Sequence, residues 1–164
     1  MSTNTPTPNI SNKRIGQLEL RLVSFSIVIL LIILTPIFLN VKEFPFYFLN
    51  TIYVLAFITF SRYIFLLKYT FLANREILKI VLVFLCIPIV FLLVQELNLF
   101  QTFLDEEGLE AMVGTDLPLQ QRTAISKYIH SEIMLFGVGS IISAVILPIR
   151  LVISIWRGRN NAGI

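Results

Sequence analysis

Long apolar runs separated by short polar segments dominate the chain. The four runs are residues 22–41, 44–67, 80–99 and 133–156. A helix rises about 1.5 Å per residue, so roughly 20 apolar residues cross a hydrocarbon core about 30 Å thick. The runs are apolar on all faces, whereas strands of a membrane barrel carry polar residues at every second position. The sequence therefore predicts an all-α integral membrane protein with four transmembrane helices, arranged as two hairpins.

The predicted spans divide the chain into five segments. An N-terminal tail, disordered at its start, is followed by transmembrane helices 1 to 3, an acidic helical loop, transmembrane helix 4 and a C-terminal tail, and the boundaries are 1–21, 22–97, 98–132, 133–156 and 157–164. The first apolar run is longer than a signal peptide needs and no small-x-small cleavage site follows it. We therefore expect it to be retained as a transmembrane helix.

Composition supports the membrane interpretation. Of the 164 residues, 56% are hydrophobic and only 14% are charged, and the mean hydropathy is +0.83. Soluble domains carry roughly a quarter charged residues. A soluble fold of this size could not bury so much apolar surface, because small domains leave much of their surface exposed.

The distribution of basic residues predicts the orientation in the membrane. Short loops on the cytoplasmic side are enriched in lysine and arginine. Ten such residues fall near the chain ends or the connection between helices 2 and 3, whereas the other side holds Lys42, Arg122 and Lys127. Both termini are therefore predicted to be cytoplasmic, and the loop 98–132 extracytoplasmic.

The extracytoplasmic loop has a helical pattern of its own. Apolar residues recur at i, i+3 and i+4 in 100–104 and again in 109–113, and Gly108 and Gly114 are typical of helix ends. We expect helix 3 to continue, followed by a short helix, forming an extramembrane cap whose acids face water. The residues predicted to form this cap and a surface for a partner are Phe103, Asp105, Glu106, Glu107, Leu109, Glu110 and Met112.

Helix 4 is predicted to begin before the bilayer. Asp116 is a suitable capping residue and Pro118 suits a first turn, because its missing N–H would have no partner there. An apolar stripe then continues without a helix breaker until Gly137. A helix over about 118–156 would measure roughly 58 Å, so its first third would project beyond the membrane.

The acidic loop does not have the spacing of a calcium site. An EF-hand loop needs oxygen ligands at alternating positions, glycine at the sixth and glutamate at the twelfth. Here Asp105, Glu106 and Glu107 are contiguous, and the twelfth position is Asp116. The pattern is typical of a solvated acidic surface, so no metal is predicted.

A few charged and aromatic residues near the ends of the spans are candidates for specific roles. Glu96 would need a partner if it lay inside the bundle, and His130 is a candidate for this pair at the outer interface. Arg62 and Arg150 lie near the cytoplasmic ends of their helices, and with Trp156 they are predicted to anchor the chain at the membrane interface.

Small residues cluster on helix 4. They are spaced so that helix backbones can approach closely, as apolar helices do when they associate in lipid. The pattern predicts a helix-packing interface, either within one subunit or between subunits. Its residues are Gly137, Gly139, Ser140, Ser143 and Ala144.

Motifs for catalysis or cofactor binding are not evident. Cys86 is the single cysteine, and no glycine-rich phosphate loop or zinc-protease motif occurs. The expected function is a non-enzymatic structural, anchoring or assembly subunit of a membrane complex, in contact with lipid and with other membrane subunits or further copies of itself, and not with nucleic acid. An oligomeric channel or small transporter with an acidic outer mouth is the alternative. An enzyme using Glu96, His130 and Glu132 is the third hypothesis.

The kind of membrane is predicted only from the loops. Short loops and the absence of N-x-S/T glycosylation acceptors on the outer side favour a bacterial inner membrane.

Overall fold

Four long helices account for most of the chain. The computed structural model describes residues 12–41, 44–113 and 118–162, and these ranges contain no strand. Three short 3₁₀ helices connect the long ones: Leu67–Tyr69 and Phe71–Asn74 lie between the second and third, and Leu109–Met112 between the third and fourth. The long helices are α1 (Asn12–Asn40), α2 (Tyr47–Leu66), α3 (Glu76–Glu107) and α4 (Leu119–Ala162).

All four helices are long and apolar enough to cross a membrane, judged by length and composition. This confirms the prediction of an all-α chain with four candidate spans. The longest, α4, has 44 residues, or about 66 Å at 1.5 Å per residue. It begins one residue after the predicted start at Pro118 and ends six residues after the predicted end at Trp156. The predicted disordered start covered residues 1–12, but Asn12 already belongs to α1. Residues 1–11, the predicted turn at Gly114 and the predicted cap at Asp116 lie outside the described residues.

Gly108 ends α3. Its φ of 84° and ψ of 165° fall in a region that is essentially restricted to glycine, because a Cβ would crowd the backbone there. Its N–H donates a hydrogen bond to the carbonyl of Leu104, 3.0 Å away, which satisfies one of the free carbonyls in the last turn. The chain then turns into the 3₁₀ helix Leu109–Met112.

The helices pack around α4. Both α2 and α3 run along it, whereas α1 packs mainly against α2. The start of α2 lies beside the end of α3, where Phe46 packs on Phe100 and Phe103, and the start of α4 lies there too, with Arg122 near Glu110. We call this the acidic end because it carries Asp105, Glu106 and Glu107. At the opposite, basic end lie Lys68, Arg75, Arg157 and Arg159. One buried cluster lies towards each end: Tyr53, Phe100, Met112, Ile129 and Ile133 belong to the first, and Leu67, Leu72, Cys86, Leu147 and Leu151 form the second.

Large apolar side chains cover much of the remaining surface. In α1, only 6% of the most apolar window is buried within the chain. Soluble monomers rarely expose apolar patches of this extent, whereas such faces are at no disadvantage against lipid tails. These faces are compatible with a membrane protein. Examples of highly exposed side chains are Phe25, Phe38, Phe48, Phe84 and Phe91.

Candidate functional site

A buried polar pair joins α2 to α4. Asn50 Nδ2 donates a hydrogen bond of 2.8 Å to Glu132 Oε1. Asn50 is fully buried and Glu132 is only 5% exposed. Burying a carboxylate is costly unless it is hydrogen-bonded, so the amide of Asn50 stabilises a group that apolar neighbours alone would not. Glu132 Oε2 and Asn50 Oδ1 have no hydrogen-bond partner within the described part of the chain.

A second polar contact joins α2 to α3. The hydroxyl of Tyr53, a fully buried residue, donates a hydrogen bond of 3.0 Å to the backbone carbonyl of Leu93. Asn50 and Tyr53 are three residues apart, so they lie on neighbouring positions of one helical surface. This surface of α2 therefore contacts α4 through Asn50 and α3 through Tyr53, and both contacts lie in the half of the bundle towards the acidic end.

Aromatic rings pack beside these contacts at the acidic end. Phe46 makes edge-to-face contacts with Phe103 and Phe100, at centroid distances of 4.9 and 5.2 Å. The imidazole of His130 stacks on Phe100 at 6.4 Å with an interplanar angle of 25°. Aromatic pairs in these geometries add to the stabilisation from burial alone. His130 is thus placed by packing on a ring of α3.

The groove between α2 and α3 contains one exposed carboxylate. It has a volume of about 360 Å³ and an apolar lining, apart from Glu96. Leu49 and Leu93 form its buried floor, while Phe48 and Leu92 are exposed along it. We call it the Glu96 groove, and its lining residues are Phe48, Leu49, Ile52, Ile89, Leu92, Leu93 and Glu96.

The two residues of the predicted polar pair, Glu96 and His130, lie in different surroundings. Glu96 is exposed in its groove and His130 is half-buried against Phe100. Among the contacts of the described residues, no hydrogen bond or salt bridge joins the two side chains. The buried carboxylate in this part of the bundle is Glu132, which bonds to Asn50 instead. The pairing of Glu96 with His130 stays a prediction.

The residues predicted to form the cap divide into a packed set and an exposed set. Met112 is fully buried, Phe103 packs on Phe46, and Leu109 is half-buried against the same cluster. Glu110 lies beside α4, where its carboxylate is 3.6 Å from the guanidinium of Arg122 and accepts a 3.2 Å hydrogen bond from Thr123. The remaining acids, Asp105, Glu106 and Glu107, are exposed.

The small residues of α4 lie inside the chain. A Cβ built on Gly137 would come within 3.0 Å of Leu97, and one on Gly139 within 3.0 Å of the ring of Phe57. Glycine therefore lets α4 approach α3 and α2 at these two positions. Ser140, Ser143 and Ala144 are also buried, and the Ser140 hydroxyl donates to the carbonyl of Gly137 at 2.8 Å.

The predicted interface anchors make contacts at the basic end. Arg150 Nε donates a hydrogen bond of 3.1 Å to the carbonyl of Ile64, in the last turn of α2. Carbonyls in a last turn lack helical partners, so Arg150 supplies a missing donor. Arg62 lies over the ring of Tyr63, 5.0 Å from its centroid. Trp156 is 64% exposed.

The sequence did not indicate the interhelical hydrogen bonds of Asn50, Tyr53 and Glu132. Asn50 and Glu132 are 82 positions apart, and each reads as a single polar residue in or beside an apolar run. An amide within an apolar span was the one available signal, because buried polar groups in membranes require partners. Which partner Asn50 has depends on how α2 and α4 align, and sequence periodicity does not encode that alignment.

The described residues contain no group of three or more His, Cys, Asp or Glu side chains that could hold a metal ion. Comparison of the chain with protein-family models, curated proteins and solved structures found no match.

Proposed function

We propose that this chain is a small non-enzymatic multi-pass membrane protein that assembles with another membrane protein by binding one of its transmembrane helices in the Glu96 groove. The observation that carries the proposal is an exposed carboxylate at the edge of an otherwise apolar groove between two candidate spans. A charged side chain facing lipid is expensive and is commonly paired with an opposite charge. The partner helix is accordingly expected to carry a lysine or arginine that pairs with Glu96.

The polar groups inside the bundle support a structural role. Asn50, Tyr53 and Arg150 each donate a hydrogen bond to a neighbouring helix. Contacts of this kind hold helices in register in a lipid environment, where apolar contact alone gives little specificity.

The other apolar surfaces that the sequence offered to a partner already pack within the chain. The small residues of α4 pack against α2 and α3, and the apolar side of Leu109–Met112 packs on the chain's own core. Both α2 and α3 pack along α4, but their surfaces diverge from each other on the side away from α4. The Glu96 groove lies between them and is therefore open. It therefore offers a recess with both apolar area and a charge.

The proposal includes an orientation. The helices form two hairpins with both termini in the cytoplasm, the basic end faces the cytoplasm and the acidic end faces outward, where Leu109–Met112 serves as a cap. This follows from the excess of lysine and arginine at one end, because the positive-inside rule counts such residues in short loops. A bacterial cytoplasmic membrane suits the short connections.

Copurification in mild detergent tests the assembly, with two matched leucine variants. Glu96→Leu removes the carboxylate in the groove, and Glu106→Leu removes an exposed carboxylate of the same helix outside it. We expect a stoichiometric membrane partner with the wild type and with Glu106→Leu. Recovery with Glu96→Leu should fall roughly tenfold or more, which corresponds to about 1.4 kcal/mol or more of lost pairing.

Three results would count against the proposal. They are a monomer that never copurifies with a partner, an equal loss for both variants, and a homodimer without any partner.

A further inference from the structure

A basic cavity lies at the opposite end of the bundle from the Glu96 groove. It has a volume of about 280 Å³ and lies between the end of α2, the following 3₁₀ helices and the last part of α4. We call it the basic pocket, and its polar side chains are Lys68, Arg150, Ser154 and Arg157. The three cationic residues come from two separate parts of the chain, so the folded structure concentrates positive charge there.

A fourth cation lies behind the wall of the basic pocket. Lys79 is only 4% exposed, and its Nζ donates hydrogen bonds of 2.7 Å to the carbonyl of Ala73 and 3.1 Å to the hydroxyl of Ser154. Both acceptors belong to residues that line the pocket. Because the Ser154 hydroxyl accepts from Lys79, its own proton is available to an acceptor in the pocket.

Arg150 is held in position for a ligand. Its Nε is bonded to the carbonyl of Ile64. The hydrogen bonds found within the described part of the chain use this nitrogen alone, which leaves both terminal nitrogens as donors. A guanidinium fixed at Nε loses little side-chain entropy when it binds an anion.

Glu76 lies near the pocket but is already engaged. Glu76 is 3.9 Å from the guanidinium of Arg159, and neither residue lines the cavity. Glu76 also approaches Gly158, since a Cβ built there would lie 3.6 Å from its Oε1. The lining itself contains cations and no acid, so its potential favours an anion.

We propose that the basic pocket binds the phosphate-bearing headgroup of an anionic phospholipid. Phosphate oxygens match guanidinium and ammonium donors, and basic pockets between helices at the cytoplasmic side are suited to such headgroups. Free phosphate shares this chemistry. The lipid is favoured because the pocket lies at the ends of apolar spans, where Phe65 and Trp156 are 77% and 64% exposed and can contact acyl chains. This inference does not rest on the proposed partner helix.

The test measures lipid binding to the full-length protein in detergent by native mass spectrometry. The probes are phosphatidylglycerol, phosphatidylcholine and inorganic phosphate. Lys68→Gln and Arg157→Gln each remove a charge from the pocket, and Arg159→Gln removes one at the same end outside it. We expect phosphatidylglycerol to bind in preference to phosphatidylcholine. Its affinity should fall about fivefold in each pocket variant and stay within a factor of two in Arg159→Gln.

The remaining outcomes overturn the inference. Equal binding of the two lipids would show that no anionic headgroup is recognised. If Arg159→Gln lost as much affinity for phosphatidylglycerol as the pocket variants, the binding would depend only on the overall positive charge of this end and not on the pocket. Inorganic phosphate that binds as tightly as phosphatidylglycerol would assign the pocket to a soluble anion.

Discussion

The hydrogen bond from Asn50 to Glu132 lowers the free-energy cost of burying the Glu132 carboxylate. Glu132 is 95% buried, yet it lies only one residue before a run that the sequence marks as membrane-spanning. Its carboxylate accepts a hydrogen bond of 2.8 Å from Asn50, and the hydroxyl of Tyr128 also interacts with it. Removing the Asn50 amide leaves the buried carboxylate without its donor from α2, whereas removing both polar groups leaves an apolar contact between α2 and α4.

We therefore expect the two leucine substitutions to be strongly non-additive. Asn50→Leu should lower the free energy of unfolding by about 1–2 kcal/mol, because the buried carboxylate loses its donor. Asn50→Leu combined with Glu132→Leu should be less destabilised than Asn50→Leu alone. Glu132→Gln should be at least as stable as the wild type, since it keeps an acceptor for Asn50 and removes the charge. Reversible unfolding in mixed micelles is measured for the wild type, Asn50→Leu, Glu132→Leu, the double leucine variant and Glu132→Gln. Additive losses in the leucine variants would contradict the pairing.

At the residue scale the sequence indicated candidate polar residues but not the partners they have in the structure. It identified Glu96 and His130 as the polar residues of interest at this end, and the structure places both near the acidic end, in the groove and against Phe100. The residue that is buried and bonded is Glu132. The difference arises because a partner is set by the rotation and axial position of two helices, which a pattern of apolar residues leaves free.

At the scale of elements, α4 organises the molecule. Its glycines allow α2 and α3 to approach, with Phe57 and Leu97 occupying the space of the missing side chains. Overpacking such a contact forces side chains out of their preferred rotamers and moves backbones apart, at a typical cost of 1–3 kcal/mol.

Gly139→Leu should destabilise the fold by about 1–3 kcal/mol because its side chain would meet the ring of Phe57. Gly16→Leu is the control, since a Cβ on Gly16 has no atom within 4 Å and leucine is a better helix former than glycine. We expect Gly16→Leu to unfold at or above the wild-type temperature. Thermal unfolding in detergent measures both, and equal melting temperatures for the two variants would contradict tight packing at Gly139.

The four long helices were predicted from the sequence. The start of α4 was predicted one residue early, because a proline suits a first turn. The turn at Gly108 followed from its place after a helical pattern. The small residues of α4 were predicted to form a packing surface, but their neighbours within the chain depend on tertiary contacts that one sequence does not reveal.

At the scale of the whole molecule, the charged residues separate into an acidic and a basic end. Asp105 is exposed at the acidic end and Arg159 is exposed at the basic end. If α4 crosses the bilayer, these two positions lie on opposite sides. The natural cysteine, Cys86, is buried, so an introduced cysteine provides the reactive thiol.

Labelling of single cysteines should reveal the orientation. Asp105→Cys is expected to react with a membrane-impermeant maleimide in intact cells. Arg159→Cys should react only after the membrane is opened, because the basic end is predicted to be cytoplasmic. The reverse pattern would contradict the orientation, and labelling of both in intact cells would contradict a span between them.

The central claim is that a transmembrane helix of a partner lies in the Glu96 groove, and site-specific photocrosslinking tests it most directly. A photoreactive residue at Leu92 lies in the groove, and one at Phe84, on the same helix and similarly exposed, lies outside it. We predict one discrete protein adduct from Leu92 and none from Phe84. The adduct should disappear with Glu96→Leu and should map to a span that carries lysine or arginine. Only lipid adducts at both positions, or protein adducts that persist in Glu96→Leu, would contradict the claim.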